Sequence, residues 1–567
     1  MSASVRSVCG LALLCSCGGE SVRFVDAGAD SDVDADTDAD ADSDGDCNPA
    51  VETEPPAAPS ILDPASGRID VVPDQLVIRA SAFSDPDGDA HAESEAEIWI
   101  APGGERLERV WQATNQERLT EFILADGEFE GLAAGVGLAE WADHVVRVRY
   151  RDDTGSCDAW SAWSDERLFR TDDGSSHFFG NEVVRRFDIE IPPSSWDDIN
   201  SEAYPGGCVQ YRRNYYMGAL VYEGERFDGV GVRLKGGCGS SRNLDGKSSF
   251  KINLNWDDPD VPGCPEERRL HGLSRFTLNN GVQDWTQEHE ALGYAVYREM
   301  DVPSPRVGHA QVYVNGVYYG VYVHVETIDR RFLRRWFENN DGMMYEGAYW
   351  CDLLPWNVPN DLDEWSCFDR EFSEDVCDEP DPDAEPTDWE LLRQLTLDIQ
   401  DIPPGGFYGQ QGDITEIFDF DRFLSMWAVD GMLAHWDAYS FHILNNYRVY
   451  HDPDSGLWTM MPWGIDQTFR GDLDPWSTDA VIIRRCLQET DCEDAFAQRL
   501  QEVSDTYESM ELQADAQRMY DVVAPLLRDD PRKEYDNGAY GAAYRELVDF
   551  IPWRPLRVGE ILASHGF

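Results

Sequence analysis

The stretch His435–Asp466, HWDAYSFHILNNYRVYHDPDSGLWTMMPWGID, carries an aspartate, an asparagine pair and a second aspartate in that order. Its YRVY and LWTMM segments alternate as strands do, and DPDSG between them is typical of a turn. A short hairpin brings its ends together, so we expect Asn446 and Asp466 to face one point. Phosphoryl transfer needs such a layout, with one carboxylate (Asp437) orienting a hydroxyl while an Asn and an Asp hold a metal. Taken alone, the same spacing fits solvated turn residues, so the interpretation depends on the rest of the chain.

The overall composition narrows the classes of partner. The chain has 567 residues, 42% of them hydrophobic, which is enough for about three domains with real cores. The formal net charge is −63, from 109 acidic against 46 basic residues. Nucleic acids and anionic membranes are bound through Lys and Arg, so this balance argues against both as general partners. It favours solubility and attraction to cations or basic proteins.

Residues 1–17 have the pattern of a lipoprotein signal peptide. A short apolar run, VCGLALLCSC, is too short to span a bilayer, and Leu14–Cys17 fits a lipobox in which Cys17 receives the lipid. A plain signal peptide cut nearby is the alternative. Residues 18–57 are then expected to form a tether, because ten of the 21 residues in 26–46 are Asp and such a run cannot bury apolar surface.

The cysteines support export. Without Cys9, Cys15 and Cys17, ten of the 13 cysteines remain, and none forms a CxxC pair or a Cys/His zinc pattern. Disulfides are therefore expected, and with them a compartment outside the cytoplasm. Cys486 and Cys492 are spaced to close a short loop, whereas the other pairings do not follow from sequence.

Residues 58–172 have the texture of short strands separated by turns, in the segments QLVIRASAF, AEIWI, ERVWQA, HVVRVRYRD and ERLFRT. This pattern predicts an antiparallel β-sandwich that resembles fibronectin type III or immunoglobulin-like modules, with a role in spacing and presentation. Within it, Asp85, Asp87 and Asp89 are either Ca²⁺ ligands or an exposed turn, and the exposed turn is the favoured interpretation.

From residue 177 to the C-terminus the sequence pattern predicts a mixture of helices and strands. Phe227–Asn255 begins as an alternating strand, enters GGCGSS and returns as the strand SSFKINLN. Glycines let backbone N–H groups approach a phosphate and serines add donors, although most such turns are only tight turns. Lys247 and Lys251 fall on one face of the second strand, where a lysine can neutralise phosphates. An exposed lysine is the alternative interpretation.

Two further elements follow. Asp284–Met300 has helical apolar spacing, and Glu290 in its first turns is placed to pair with a strand lysine. Ala310–Glu326 predicts a hairpin around Asn-Gly. The tail is expected to contain amphipathic helices near residues 494–506 and 512–528.

These elements occur in the linear order of a protein-kinase fold: Gly-rich turn, strand lysine, helix with Glu, hairpin, helices, Asp, Asn, hairpin and Asp. From about residue 180 to 475 the chain resembles the CotH kinases, secreted atypical protein kinases that phosphorylate serine on coat proteins. The matching segments are VRLKGGCGSSRNLDGKSSFKINLN, TLNNGVQDWTQEHEALGYAVYREMDVPSPR, VYVNGVYYGVYVHVETIDRRFL and HWDAY…NNYRVYHDPDSGLWTMMPWGIDQTF. The resemblance implies an α+β chain, with an atypical protein-kinase-like two-lobed domain over residues 177–567 after the all-β sandwich.

The resemblance also implies a catalytic and a metal site. Asp437 matches the catalytic acid, and Asn446 and Asp466 match the ligands of Mg²⁺ or Mn²⁺. Two departures stand out: Gly464 replaces the first acid of the usual PWDLD, and His289 replaces an Arg. We expect activity to be retained because Asp466 stands where the hairpin ends, and a pseudokinase is the alternative.

ATP is the implied phosphate donor. Lys251, or alternatively Lys247, matches the lysine on the phosphates, and Glu290 matches its carboxylate partner. Glu326 is expected at the hinge near the adenine. The turn expected over the phosphates consists of Lys235, Gly236, Gly237, Gly239 and Ser240.

The leading hypothesis is a surface-anchored or secreted kinase of the bacterial cell envelope that transfers phosphate from ATP to Ser/Thr of extracellular or coat proteins. The alternative is a non-catalytic surface adhesin or coat-organising protein, with which 12% aromatic residues and 19 Trp are compatible. A two-metal nuclease or phosphatase fits less well, because it leaves the Gly-rich turn and the strand lysine without a role. The expected partners are ATP and a secreted or surface protein. Nucleic acid is not expected, and the membrane is contacted only through the lipid anchor.

Overall fold

The structure, a computed structural model, describes residues 47–567 except 136, 181, 203–205, 209–210, 212, 257–267, 359–366 and 371–387. The predicted signal peptide, Cys17 and the Asp-rich run lie outside the described residues, as do Cys264 and Cys377. Within the described part of the chain, no helix combines the length and apolarity needed to cross a bilayer.

The first described region is all β, and the five predicted strand segments are strands. Its strands are β1 Ile61–Asp63, β2 Arg68–Val71, β3 Val77–Ala80, β4 His91–Ile100, β5 Glu108–Asn115, β6 Glu121–Ile123, β7 Glu128–Phe129, β8 Asp143–Asp152 and β9 Arg167–Thr171. One sheet has the order β1-β3-β6 and the other β2-β9-β8-β4-β5-β7. Buried Ile78, Ile98, Trp111, Val146 and Phe169 fill the core. The pairing is antiparallel as predicted, except that β2 runs parallel to β9.

A closed seven-stranded barrel follows. Its strands are β10 Val184–Glu190, β11 Tyr216–Tyr222, β12 Glu225–Lys235, β13 Ser249–Asn253, β14 Arg275–Asn279, β15 Val307–Val314 and β16 Val317–Val325. The order is β10-β11-β12-β13-β14-β16-β15, and β10 closes the ring by pairing parallel with β15.

Residue alternation explains the barrel interior. Val230, Val232 and Leu234 of β12 and Phe250 and Ile252 of β13 point inward and are buried. Because side chains alternate along a strand, the intervening polar residues of β12 and β13 face the other way. The predicted β15–β16 hairpin is present, and its Asn-Gly pair has φ of 50° and 76°, as a type I′ turn requires.

The remaining region combines a small sheet with helices. The sheet has the order β18-β17-β19-β20, formed by β17 Met344–Gly347, β18 Phe368–Arg370, β19 Tyr447–His451 and β20 Trp458–Pro462. The helices of the described chain are α1 Pro193–Ser201, α2 His289–Glu299, α3 Arg330–Arg334, α4 Asp388–Asp401, α5 Phe420–Met432, α6 Val481–Cys486, α7 Thr490–Ser509, α8 Leu512–Arg528 and α9 Asn537–His565. The α+β prediction, with an all-β region ahead of a two-lobed region, is confirmed.

Two local predictions are also confirmed in this region. The hairpin at 447–462 pairs Tyr447 with Pro462, and α7 and α8 contain the two amphipathic stretches. The helix predicted from Asp284 begins later, at His289, because Asp284 to Glu288 form a turn that leads into it.

Disulfides occur as expected. The predicted Cys486–Cys492 bridge is formed, together with Cys47–Cys157, Cys208–Cys238 and Cys351–Cys367. Such bridges persist in oxidising compartments outside the cytoplasm.

Candidate active site

A cleft lies between the barrel and the helical lobe. Its barrel side is lined by the ends of β12, β13 and β14, and its opposite side by residues that follow β17, precede β19 and follow β20. Asp437, Asn446 and Asp466 therefore share one cleft with the Gly-rich turn, as their order in the chain predicted.

The Gly-rich turn is a tight loop at the end of β12. Gly236 and Gly237 line the cleft with Ser240, whereas Gly239 lines an adjoining pocket. Gly236 has a φ of 110°, and a Cβ there would lie 2.9 Å from the Ser240 hydroxyl, so glycine is required. Ser240 donates to the Gly237 carbonyl through its hydroxyl at 2.8 Å. The loop is thus held in a compact shape.

Lys235 is connected to Glu290 through one amide. The Lys235 ammonium donates to Asn279 Oδ1 at 2.5 Å, and Asn279 Nδ2 donates to both carboxylate oxygens of Glu290 at 2.9 Å. Burial raises the pKa of Glu290 to about 8, a shift that Asp466 increases and Lys235 opposes. Burial also lowers the pKa of Lys235 and raises that of Asp466 to about 6. These three groups form one electrostatic unit.

The lysine connected to Glu290 through Asn279 is therefore Lys235, where Lys251 or Lys247 was predicted. The predicted contact of Lys251 with the phosphates stays a prediction. In the β12–β13 register Lys235 pairs with Ser249, while Lys251 lies two residues further along, opposite Arg233. Lys251 also lines the cleft. The prediction placed the lysine on the strand after the turn, whereas the structure uses the last residue of the strand before it.

Lys247 lies away from the cleft. Its ammonium is 1% exposed and forms a 2.5 Å ion pair with Asp530 from the segment between α8 and α9. Asp530 Oδ2 also accepts from the backbone N–H of Val321 at 2.9 Å, and Arg532 donates to the carbonyl of Gly246 at 2.8 Å. Lys247 is thus a structural residue that joins the C-terminal helices to the barrel.

Glu326 immediately follows β16, where the chain leaves the barrel, and its place at a hinge near the adenine stays a prediction. Its carboxylate is buried against Arg306 at 2.6 Å and Arg335 at 2.5 Å. Burial alone would raise the pKa of Glu326, but the two guanidinium groups hold it at about 2. The side chain therefore braces the hinge and does not line the cleft.

Asp437 and Asn446 are bonded to each other. Asn446 Nδ2 donates to Asp437 Oδ2 at 2.9 Å and to the Asp437 carbonyl at 3.1 Å. Burial raises the pKa of Asp437, and the nearby His435, Asn445 and Asn446 side chains oppose this shift. Among the described residues, the buried Oδ1 of Asp437 has no hydrogen-bond partner. An unpaired carboxylate oxygen beside an amide and near Asp466 fits the binding of a cation or a hydroxyl group.

The structure explains the two departures from the family pattern, at His289 and Gly464. His289 Nδ1–H donates to the Asp466 carbonyl at 2.9 Å and thereby holds the turn that carries this acid. Gly464 has a φ of 56°, and a Cβ there would lie 2.6 Å from Asn446 Oδ1. An acid at 464 would displace Asn446, so Gly464→Asp is not a simple restoration of a lost ligand. Asp466 remains the acid at this end of the cleft.

Sequence reasoning missed several cleft residues. Arg213 and Arg233 join Lys235 and Lys251 on the barrel side, and Glu346 and Asp369 join Asp437 and Asp466 on the opposite side. The TLNNG segment that ends β14 was a usable signal for Asn279, because polar residues at a strand end often face a site. Arg213 lies outside any motif. Four basic side chains that face several carboxylates across one cleft suit a polyphosphate bound together with a divalent cation.

The barrel lobe, with its Gly-rich turn and Lys–Asn–Glu chain, faces a helical lobe that presents Asp, Asn and Asp, and together they define a kinase-like protein. Residues 232–556, more than half of the chain, match the family model described as CotH kinase protein. The chain belongs to this CotH family.

Inner spore coat protein H of Bacillus subtilis (strain 168) is 22% identical to this chain over 281 residues, which cover 48% of this chain and 74% of that protein. Similar solved structures include the fibronectin(III)-like modules of Clostridium thermocellum CbhA, with 19% identity, a TM-score of 0.14 and coverage of 22% of this chain and 48% of that one. Another is the Helicobacter pylori proinflammatory kinase CtkA, with 11% identity, a TM-score of 0.21 and coverage of 51% and 90%. Scores this low carry no weight for the fold, which rests on the strand order and the cleft described above.

Proposed function

We propose that this protein is a kinase that transfers the γ-phosphoryl group of ATP to Ser or Thr of proteins outside the cytoplasm. One observation carries the proposal: the Lys235–Asn279–Glu290 chain faces Asp437, Asn446 and Asp466 across a single cleft. Positioning and charge neutralisation are the main requirements of phosphoryl transfer, and these groups supply both.

Each wall of the cleft has a role in binding. Lys235 contacts the phosphates, oriented by Asn279 and Glu290, while the Gly-rich turn covers them with backbone N–H groups. Asn446 and Asp466 would hold Mg²⁺ or Mn²⁺, which would supply neutralisation of the phosphate charge. The backbone after β16, at Glu326, lies on the adenine side.

Asp437 acts on the acceptor. Its unpartnered Oδ1 accepts the hydrogen of the substrate hydroxyl and orients the oxygen. That oxygen forms a bond to the γ-phosphorus as the bond between this phosphorus and the β–γ bridging oxygen breaks. ADP leaves, and the hydroxyl proton passes to Asp437. Asn446 holds the carboxylate in place through Oδ2.

The test is incubation of purified residues 47–567, which keep the Cys47–Cys157 bridge, with ATP and Mg²⁺ or Mn²⁺, followed by mass spectrometry for phosphorylated Ser or Thr. We expect autophosphorylation in the wild type and none in Asp437→Asn. A wild-type protein that binds no nucleotide with either metal would contradict the proposal and favour a non-catalytic surface adhesin or coat-organising protein.

The proposed location is the bacterial cell envelope. Four disulfides in the described chain and the similarity to a spore coat protein support a position outside the cytoplasm. We propose that residues 1–17 are a lipoprotein signal cut before Cys17, which stays as the lipidated first residue. We also propose that 18–57 tether a sandwich at 58–172, and that the sandwich presents the kinase-like region 177–567.

The anchor makes a separate prediction. Cys17→Ala removes the proposed lipid attachment site, so the variant is expected to leave the membrane fraction. Fractionation of cells that express wild type and variant measures this. An undiminished membrane-bound pool of Cys17→Ala would rule out lipidation at this residue.

A further inference from the structure

A second group of carboxylates lies in the β-sandwich. Asp85 and Asp89 belong to the turn between β3 and β4, and Asp152 ends β8. Antiparallel pairing of β4 with β8 puts His91 opposite Asp152, which brings the turn to the end of β8. One carboxylate oxygen from each of the three aspartates lies within 4.8 Å of the others.

Two oxygens of these carboxylates are buried without a hydrogen-bond donor in the described part of the chain. Asp152 is 1% exposed, and its Oδ1 accepts from the Thr154 N–H at 2.9 Å. Among the described residues its buried Oδ2 has no hydrogen-bond partner, and neither has the buried Oδ2 of Asp85. Oδ1 of Asp85 accepts hydrogen bonds from three backbone N–H groups of its own turn, at 2.8 to 3.1 Å. Negative charges this close repel one another, and a buried carboxylate without a partner is unfavourable unless a cation neutralises it.

We propose that Asp85, Asp89 and Asp152 bind a Ca²⁺ ion. Ca²⁺ takes oxygen ligands at about 2.3–2.6 Å, so two oxygens on opposite sides of the ion are about 4.6–5.2 Å apart. The three ligand oxygens lie within 4.8 Å of one another, so one ion can contact all three. Mg²⁺ is smaller and gives up its water reluctantly, so the site selects Ca²⁺.

Of the three aspartates in this turn, Asp85 and Asp89 are half-buried and only Asp87 is fully exposed. Asp87 is exposed, and its Oδ2 accepts from the Glu54 N–H at 2.8 Å. Asp152 was missed because it follows the turn by a long stretch of sequence and belongs to no acidic motif. Strand pairing alone brings it to the site.

The site lies where the N-terminal segment enters the sandwich. Thr53 donates to Asp89 Oδ2 at 3.1 Å, and the Cys47–Cys157 disulfide ties the same segment to the loop after β8. A bound Ca²⁺ joins the turn to β8 and thereby fixes the end of the proposed tether. Calcium is abundant outside the cytoplasm, where modules bind it with dissociation constants of about 10⁻⁴–10⁻³ M.

The test measures the melting temperature of the full chain in EGTA, in millimolar CaCl₂ and in millimolar MgCl₂. Wild type is expected to melt higher in Ca²⁺ than in EGTA, with a smaller shift in Mg²⁺. Asp152→Asn and Asp85→Asn are each expected to lose the Ca²⁺ shift. In EGTA these variants melt at or above the wild-type temperature, because removing one charge relieves repulsion.

Two controls separate this site from others. Asp158→Asn removes an exposed acid of the same region outside the three ligands and keeps the Ca²⁺ shift. Asp466→Asn, which alters the proposed cleft metal site, also keeps it. An equal Ca²⁺ shift in wild type, Asp152→Asn and Asp85→Asn overturns the proposal, and an equal shift in Mg²⁺ overturns the assignment to calcium. Either result leaves the kinase proposal untouched.

Discussion

Asp466→Asn is expected to lose metal-dependent nucleotide binding and phosphoryl transfer together, whereas Asp437→Asn keeps nucleotide binding and loses only transfer. The difference arises because Asp466 is proposed to bind the metal, whereas Asp437 is proposed to orient the acceptor hydroxyl. Each change should lower the transfer rate by about 10²-fold or more, because Asp437 acts mainly in the transition state and Asp466 is needed for the metal-bound nucleotide. Nucleotide binding by calorimetry, with and without Mg²⁺, and a phosphorylation assay measure the two effects.

Stability measurements provide the control for this pair. The folded-state pKa of Asp466 is raised from its ordinary 3.8 to about 6, so ionisation of this buried acid opposes folding as pH rises through that interval. Asp466→Asn should therefore melt at or above the wild-type temperature above pH 6, and this gain should vanish below pH 3.8. If Asp437→Asn also failed to bind nucleotide, the division into acceptor and metal sides would be wrong.

Asp530→Ala is expected to lower the free energy of unfolding by about 3–5 kcal/mol, because it leaves a buried ammonium without its counter-ion. Lys247 and Asp530 are 1% and 0% exposed and form a 2.5 Å pair. Asp530 also accepts from the backbone N–H groups of Val321, Arg532 and Lys533 at 2.8 to 3.0 Å. Chemical denaturation of the full chain measures the loss.

Lys247→Met is the matched comparison. The carboxylate of Asp530 keeps its three backbone donors in this variant, so the loss of stability should be smaller than in Asp530→Ala. The double variant should lose less than the sum of the two single changes, since neither charge is then left alone. Lys247→Met should also bind nucleotide normally, because Lys247 lies outside the cleft. Loss of nucleotide binding in a folded Lys247→Met protein would favour the alternative assignment, in which Lys247 contacts the phosphates.

The sequence by itself determined the local elements and their order. The β19–β20 and β15–β16 hairpins, the alternation of Phe250 and Ile252, and the amphipathic tail helices all follow from interactions between residues close in the chain. Periodicity and turn chemistry report such interactions directly. The linear order of those elements was also sufficient to predict that Asp437, Asn446 and Asp466 share one cleft.

Only the tertiary structure decided which side chain meets which. The choice of Lys235 over Lys251 depends on the β12–β13 register, since a shift along the strand changes which residue faces α2. Lys247 donates to Asp530, which lies 283 positions later in the chain. Asp152 lies close to Asp85 only because of strand pairing. Burial then sets the charge of each group, as in the rise of the Glu290 pKa to about 8. Contacts between distant segments and the burial they create leave no periodic signal in the sequence, and the roles of the charged residues rest on those contacts.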